Sequence, residues 1–355
     1  MGIELSENRK KKSGSLRNWI GPFIIIITLI AVLTAGMIDG TLPGAVDAVL
    51  HASPVFVILG ILSFFLYVFL EASAIRMFLK KEGYHLKLRD GLVATMTSVY
   101  YSNITPGASG GQPMQIYQIT KSGIPAGIAS SAVVSVIICW HFMRALIAGV
   151  LVKIYYPFVS ENMGPYFYIL LLGFAYNIGV VLLYVILSYS KKAEEILVRV
   201  VKWGIRVFRI RTDEAKIEKG IRSAVEGFHE TMHHLFSDWK FLVREMLMVG
   251  ASYMFLVWIM YFAYRSISLN SAGFGEMTVM SICQDVSAAY LPTPGASGAQ
   301  ELIFKLYFGK LISGSDCLAV MMIWRFISYY FGLVSGAAVN LLFARRTHDV
   351  QKEDA

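Results

Sequence analysis

Along this chain, apolar runs long enough to cross a bilayer alternate with short polar connectors. "WIGPFIIIITLIAVLTAGMI" from Trp19 and "YFYILLLGFAYNIGVVLLYVIL" from Tyr166 carry no charge, and a spanning helix needs about 20 apolar residues. The pattern predicts full spans near 19–38, 54–79, 125–152, 164–189, 241–268 and 316–343. Two further apolar segments, 88–119 and 277–312, are each split near the middle by almost the same words: "ITPGASGGQP" from Ile104 and "PTPGASGAQE" from Pro292. Each half of a split segment is too short to span. Irregular backbone at membrane depth is tolerated only where protein buries it or where it lines a wet cavity. Both segments are therefore read as re-entrant helical hairpins with the repeated turn at the tip. The expected fold is an all-α polytopic membrane protein of about six full spans plus two hairpins.

Charge placement sets the orientation. Arg9, Lys10, Lys11, Lys12 and Arg17 precede the first span; Lys80, Lys81, Lys87, Arg89 and Lys121 flank the first hairpin; eleven Lys or Arg lie in 191–240; Arg345 and Arg346 follow the last span. The expected outer segments, 39–53 and 153–163, hold only Lys153. Cationic loops stay in the cytoplasm, so both termini are expected there. The first hairpin then enters from inside and the second from outside. Each half reads span, span, hairpin, span, in opposite orientation, which is the inverted-topology repeat frequent in transporters. The divisions are a basic N-terminus at 1–18, a first repeat at 19–152, a second at 164–343 containing a cytoplasmic insert at 190–240, and a tail at 344–355. Other landmarks recur in the same order: Arg76 lies 29 residues before Thr105 and Arg265 28 before Thr293, while Arg144 and Arg325 follow at 39 and 32.

Composition narrows the classes. Hydrophobic residues make up 56% and charged residues 16%, against about 25% charged in soluble domains. The net charge of +8 sits on the membrane flanks, which speaks against nucleic acid. The first run follows "NRKKKSGSLRN" and has no clear small-x-small cleavage site, so it is read as a retained helix and not a signal. Met1-Gly2 with Ser6 fits a short acylation pattern of low information. Cys139, Cys283 and Cys317 lack ligand spacing and read as small apolar residues. His229, His233 and His234 offer a metal pair without further ligands and read as a solvated face. No metal or cofactor is expected. "EEILVRVVKWGIRVFRIR" places Arg199, Lys202, Arg206 and Arg209 at helical spacing, which suits an interfacial helix on anionic lipid or an ordinary connector.

The repeated turn carries the candidate chemistry. Pro ends the entering helix, Gly permits a left-handed turn, and the returning helix starts near Ser109/Gly110 and Ser297/Gly298. Its first amides lack intrahelical partners and carry the positive dipole end, a site suited to phosphate or carboxylate. The plainer reading is a turn of small residues that lets helices pack. Candidate substrate-binding residues are Thr105, Pro106, Gly107, Ser109, Gly110, Gln112 and Arg144, with Thr293, Pro294, Gly295, Ser297, Gly298, Gln300, Glu301 and Arg325. Arginines at membrane depth face a cavity or a partner; Arg144 and Arg325 either serve an anion, pair with Glu71, Asp285 or Glu301, or snorkel. Glu71 and Asp285 are further candidates for a proton or a cationic headgroup. Asp285 and Glu301 have no acidic counterpart in the first hairpin, where Thr97 and Pro113 align, so the halves differ chemically.

"NITPGASGGQPMQIY" and "LPTPGASGAQELIF" resemble the paired Pro-Gly motifs of the lysylphosphatidylglycerol synthase transmembrane family, over about residues 15–345. That family includes the membrane half of the multiple peptide resistance factor. The resemblance implies a bacterial inner-membrane protein that moves aminoacylated phosphatidylglycerol, or a related phosphate lipid, between leaflets. In the full-length factor a separate soluble domain makes that lipid from aminoacyl-tRNA. That domain is expected to be absent here, with "RRTHDVQKEDA" as a tail, so lysyltransferase activity is not expected. No nucleophile elbow, P-loop or zincin motif points to another enzyme. The partners expected are a membrane phospholipid, with a separate synthase and a homo-oligomer left open. Rival readings are a secondary transporter of a small organic anion, an enzyme acting on a lipid headgroup, and a membrane subunit of a synthase.

Overall fold

The computed structural model describes residues 30–189, 195, 199, 229–291, 293–312 and 314–353. The basic N-terminus, the start of the first expected span and the amphipathic stretch around Arg199–Arg209 lie outside or almost wholly outside those residues. The described chain is helical, with no strand among the described residues. In order, α1 covers 30–38, α2 Leu42–Leu50, α3 Pro54–Lys81, α4 Leu88–Ile104, α5 Gly111–Thr120, α6 Ala126–Ile154, α7 Tyr156–Met163 and α8 Phe167–Tyr189. After the insert come α9 (229–237), α10 (Trp239–Ser266), α11 (Phe274–Ala288), α12 (Ala299–Phe308), α13 (Gly314–Arg325) and α14 (Gly332–Glu353).

Five stretches are long and apolar enough to cross a membrane: Pro54–Lys81, Ala126–Ile154, Tyr156–Ile186, Trp239–Ser266 and Gly314–Phe343. They match five of the six expected spans. Two expected outer segments are partly helical instead, as α2 and α7. Both carry Pro in the first turn, where its missing N–H costs nothing and its fixed φ starts a helix. The last span is interrupted by a π-helical segment, Phe326–Phe331. Hydropathy is blind to it, because widening one turn leaves the apolar run intact.

α4, α5, α11 and α12 have 17, 10, 15 and 10 residues. At about 1.5 Å per residue none reaches the roughly 30 Å of a hydrocarbon core. α4 packs on α5 and α11 on α12, and the turns that join each pair touch one another.

Packing follows a two-fold pattern. Equating α2 with α8, α3 with α10, α4–α5 with α11–α12 and α6 with α13–α14 exchanges one set of contacts for another. α4 packs on α14 as α11 packs on α6; α2 packs on α13 as α8 packs on α6; α3 packs on α4 as α10 packs on α11. Two contacts are their own image: α3 on α10, and turn on turn. The α3–α10 contact is antiparallel. The Ser53 amide donates to Ser266 O at 2.7 Å, Ser252 Oγ to Tyr67 O at 3.1 Å, and the Phe78 and Phe241 rings lie 6.2 Å apart. An axis relating two antiparallel helices is perpendicular to both, so the halves are inverted with respect to one another.

At the far end of this contact Lys81 pairs with Asp238 at 3.0 Å. Asp238 also caps α10, accepting from the Phe241 amide at 3.1 Å. That amide, with Lys81, holds its carboxyl below the usual carboxylate range. On a cysteine-free background, Ser53→Cys with Ser266→Cys is expected to cross-link on oxidation, and Ser53→Cys with Asp238→Cys is not. Gel mobility and free-thiol counts read the result, and the reverse outcome would refute the antiparallel order.

Candidate functional site

The two turns share one backbone. Gly107 and Gly295 have φ 60° and 54°, and the following Ala108 and Ala296 have φ 55° and 51°. A left-handed alanine is uncommon, and its repetition shows that the sequence repeat is also a conformational one. In each turn the alanine amide donates to the threonine carbonyl, Ala108 to Thr105 at 3.2 Å and Ala296 to Thr293 at 3.0 Å. A Cβ on Gly295 would fall inside the Tyr329 ring. The Tyr329 hydroxyl in turn donates to Asn103 O at 3.0 Å, so the π segment of the second half clasps the hairpin of the first.

Beyond the alanines the turns diverge. In the first, the Gly110 amide donates to Thr105 Oγ1 at 2.9 Å. In the second, the corresponding Gly298 amide donates to Glu301 Oε2 at 2.6 Å. Pro113 stands where Glu301 stands in the second copy, so the threonine takes over the cap. Where the glutamate caps, the Thr293 hydroxyl is left buried without a partner. The returning helices begin at Gly111 and Ala299, within two residues of the expected starts.

Both candidate arginines are paired with acids. Arg325 is 5% exposed. Its Nε donates to Glu301 Oε1 at 2.5 Å, its Nη1 to Gln300 Oε1 at 3.2 Å, and its Nη2 lies 3.4 Å from Ser297 Oγ. Arg144 pairs with Asp285 at 3.0 Å, and the Tyr253 hydroxyl donates to the same carboxylate oxygen at 3.0 Å. The Trp140 and Tyr253 rings lie 5.8 and 5.6 Å from the Arg144 guanidinium. Of the alternatives open in the sequence, pairing with Asp285 and Glu301 is the one present. The two arginines do not occupy equivalent places. Arg325 faces the returning helix of its own half, whereas Arg144 faces the entering helix of the other, and their unequal offsets from the turn reflect this.

Between the pairs lies a polar chamber of about 120 Å³, walled by Asp285 on one side and Arg325 on another, with Asn103, Gln284, Gln300 and Tyr329 among its other residues. A cavity of this volume holds a few waters or a small polar group. Gln284 is 1% exposed and its Nε2 has no partner. Of the expected residues, Asp285, Gly295, Gln300 and Arg325 reach the chamber; Arg144 acts on it through Asp285. Ser297 is buried beside Arg325, while Ser109 is exposed at the first tip, so the paired serines have different surroundings. Thr105, Pro106, Gly107, Gly110 and Gln112 do not line the chamber, and the first hairpin contributes Asn103 instead. Glu71 lies apart, receiving Gln115 Nε2 at 3.5 Å and the Tyr67 hydroxyl. Gln284 and Tyr329 escaped the sequence reading, although Gln284 adjoins Asp285 and Tyr329 follows Arg325 by one helical turn.

Two apolar grooves border Glu301, and one of them also borders Arg325. One, of about 420 Å³, runs between α1, α12 and α13 from Gly298 and Glu301 to Asp39 and Lys305, which pair at 3.2 Å. The other, of about 340 Å³, is lined by Val49, Met322, Phe326 and Tyr330. They share Val32, Glu301 and Met321. Leu302 and Phe326, one in each groove, are 60% and 51% exposed. Among the described residues no His, Cys, Asp and Glu cluster could hold a metal.

Gly295→Ala is expected to destabilise by about 1–3 kcal/mol through steric overpacking and left-handed strain, read as thermal unfolding in detergent. Arg144→Met, which strands Asp285, is expected to cost about 3–5 kcal/mol, with most of it recovered in Arg144→Met/Asp285→Asn.

The family described as "Lysylphosphatidylglycerol synthase TM region" matches residues 19–336. A curated relative, the UPF0104 membrane protein of Archaeoglobus fulgidus, is 24% identical over 261 residues, covering 72% of this chain and 76% of that protein. With the match extending over both hairpins, four described spans and most of the fifth, the chain belongs to the lysylphosphatidylglycerol synthase TM region family.

Proposed function

We propose that this multi-pass membrane protein is a phospholipid translocase that moves a lipid with a phosphate headgroup, aminoacylated phosphatidylglycerol or a relative, between leaflets. The observation that carries this reading is the position of the Arg325–Glu301 pair. It separates a polar chamber from two apolar grooves whose walls include exposed side chains. A lipid needs both environments at once, a wet place for its headgroup and an apolar path for its chains. The chamber offers opposite charges on its walls, so the phosphate turns toward Arg325 and a headgroup ammonium toward Asp285.

In this reading both hairpins are re-entrant, their tips meet near mid-depth, and the termini lie in the cytoplasm of a bacterial inner membrane. Rocking of one half on the other about the α3–α10 contact exposes the chamber to each leaflet in turn. No covalent step is required.

The test is leaflet exchange of lysyl-phosphatidylglycerol and of plain phosphatidylglycerol in proteoliposomes of the pure protein. Exchange by the native chain, reduced at least about tenfold in a folded Arg325→Gln/Glu301→Gln variant, is expected. Exchange of neither lipid by folded protein, with uptake of a soluble organic anion, would replace this reading by the secondary-transporter one.

A further inference from the structure

The site at the second hairpin tip already holds an anion, and that anion belongs to the protein. One oxygen of Glu301 accepts from the Gly298 amide at the start of α12; the other accepts from Arg325. These are the donors that a tetrahedral or planar oxyanion would seek at a helix N-terminus. Gln284 adds an orphaned Nε2 in the adjoining chamber, 1% exposed and unsatisfied. A buried amide donor without a partner costs free energy until something accepts from it. Arg325 lines that chamber together with Gln284, so the carboxylate holds Arg325 while an unused donor stands in the chamber that Arg325 also borders.

We infer that Glu301 is an internal occupant of the anion site, and that a phosphate-bearing ligand binds by taking its place on Arg325 and the Gly298 amide. The inference rests on the translocase reading for the source of the phosphate, and it adds what that reading lacks, a competitor built into the chain. Glu301 is suited to step aside. It borders both grooves as well as Arg325, so a released carboxylate swings toward the path by which the ligand arrives. Lys305, one turn on and paired with Asp39 at the rim of the same groove, is the nearest described cation able to receive it. Arg325 then exchanges one anion for another, while Glu301 joins Asp39 at Lys305, so the site gains the negative charge of the ligand. The first half has no such device, since Pro113 replaces the acid and Thr105 caps the turn.

A competitor is recognised by what its removal does. Glu301→Gln keeps an acceptor for the Gly298 amide and deletes the charge held against Arg325. Binding to the detergent-solubilised full chain is measured with two probes, dihexanoylphosphatidylglycerol and inorganic phosphate. If Glu301 competes, Glu301→Gln binds the lipid probe about tenfold tighter than the native chain, and Arg325→Gln abolishes binding. Glu301→Asp keeps the charge but is one methylene too short to hold Gly298 and Arg325 together, and it gains by a smaller factor. A gain for inorganic phosphate alone supports the exchange and assigns the site to a free anion. Unchanged or weaker binding of both probes by whichever Glu301 variant folds would overturn the inference. Native leaflet exchange that persists alongside that result leaves the translocase standing, whereas absence of native exchange strikes the translocase reading itself.

Discussion

A helix that stops partway through a membrane leaves amides and carbonyls that no water can satisfy, each at a cost of several kcal/mol in hydrocarbon. This chain has four short helices ending at two turns, and the turns meet the requirement by packing on one another. Each tip uses its own threonine and alanine to close the turn, and each is covered by the other. Tyr329 reaches from the last span of one half to Asn103 in the hairpin of the other. The two turns thus pack on one another, and the pairing brings Asn103 of one half and Gly295 of the other to one chamber.

Within that frame the halves have diverged. The same turn backbone is kept, but the cap on the returning helix is a threonine hydroxyl in one copy and a carboxylate in the other. One acid changes the electrostatics of the whole site. Glu301 neutralises Arg325, Asp285 neutralises Arg144, and the first hairpin supplies only neutral groups to the chamber. Buried pairs of this kind contribute little net stability, because desolvation offsets their attraction. What they do hold is opposite charge, side by side, among largely buried helices.

Much of the fold was legible because membrane spanning is a one-dimensional property: Pro54–Lys81 and Trp239–Ser266 announce themselves by length and by high mean hydropathy. The repeated TPGASG located both tips for the same reason, since Pro and Gly act locally. What stayed hidden depends on packing. Arg144 and Arg325 each sit inside an apolar run, and nothing local says that Arg325 turns to its own hairpin and Arg144 across to the second half. The π segment at Phe326–Phe331 is invisible for a related reason; it carries Tyr329, which packs closely on Gly295 of the second turn. Gln284 could be noticed beside Asp285, but its unsatisfied amide is a property of three helices at once.

The pseudo-two-fold axis crosses the α3–α10 contact and the meeting point of the tips. Exchanging the shapes of the two halves therefore turns the molecule over, so any two forms related in this way are one pair of shapes with their owners swapped. In a perfectly symmetric molecule these forms would be equal in energy. The Arg325–Glu301 pair has no image in the first half, and the degeneracy is lifted. One ion pair on one half thus makes two backbones of the same plan unequal in energy, and a symmetric scaffold carries an asymmetric charge pattern.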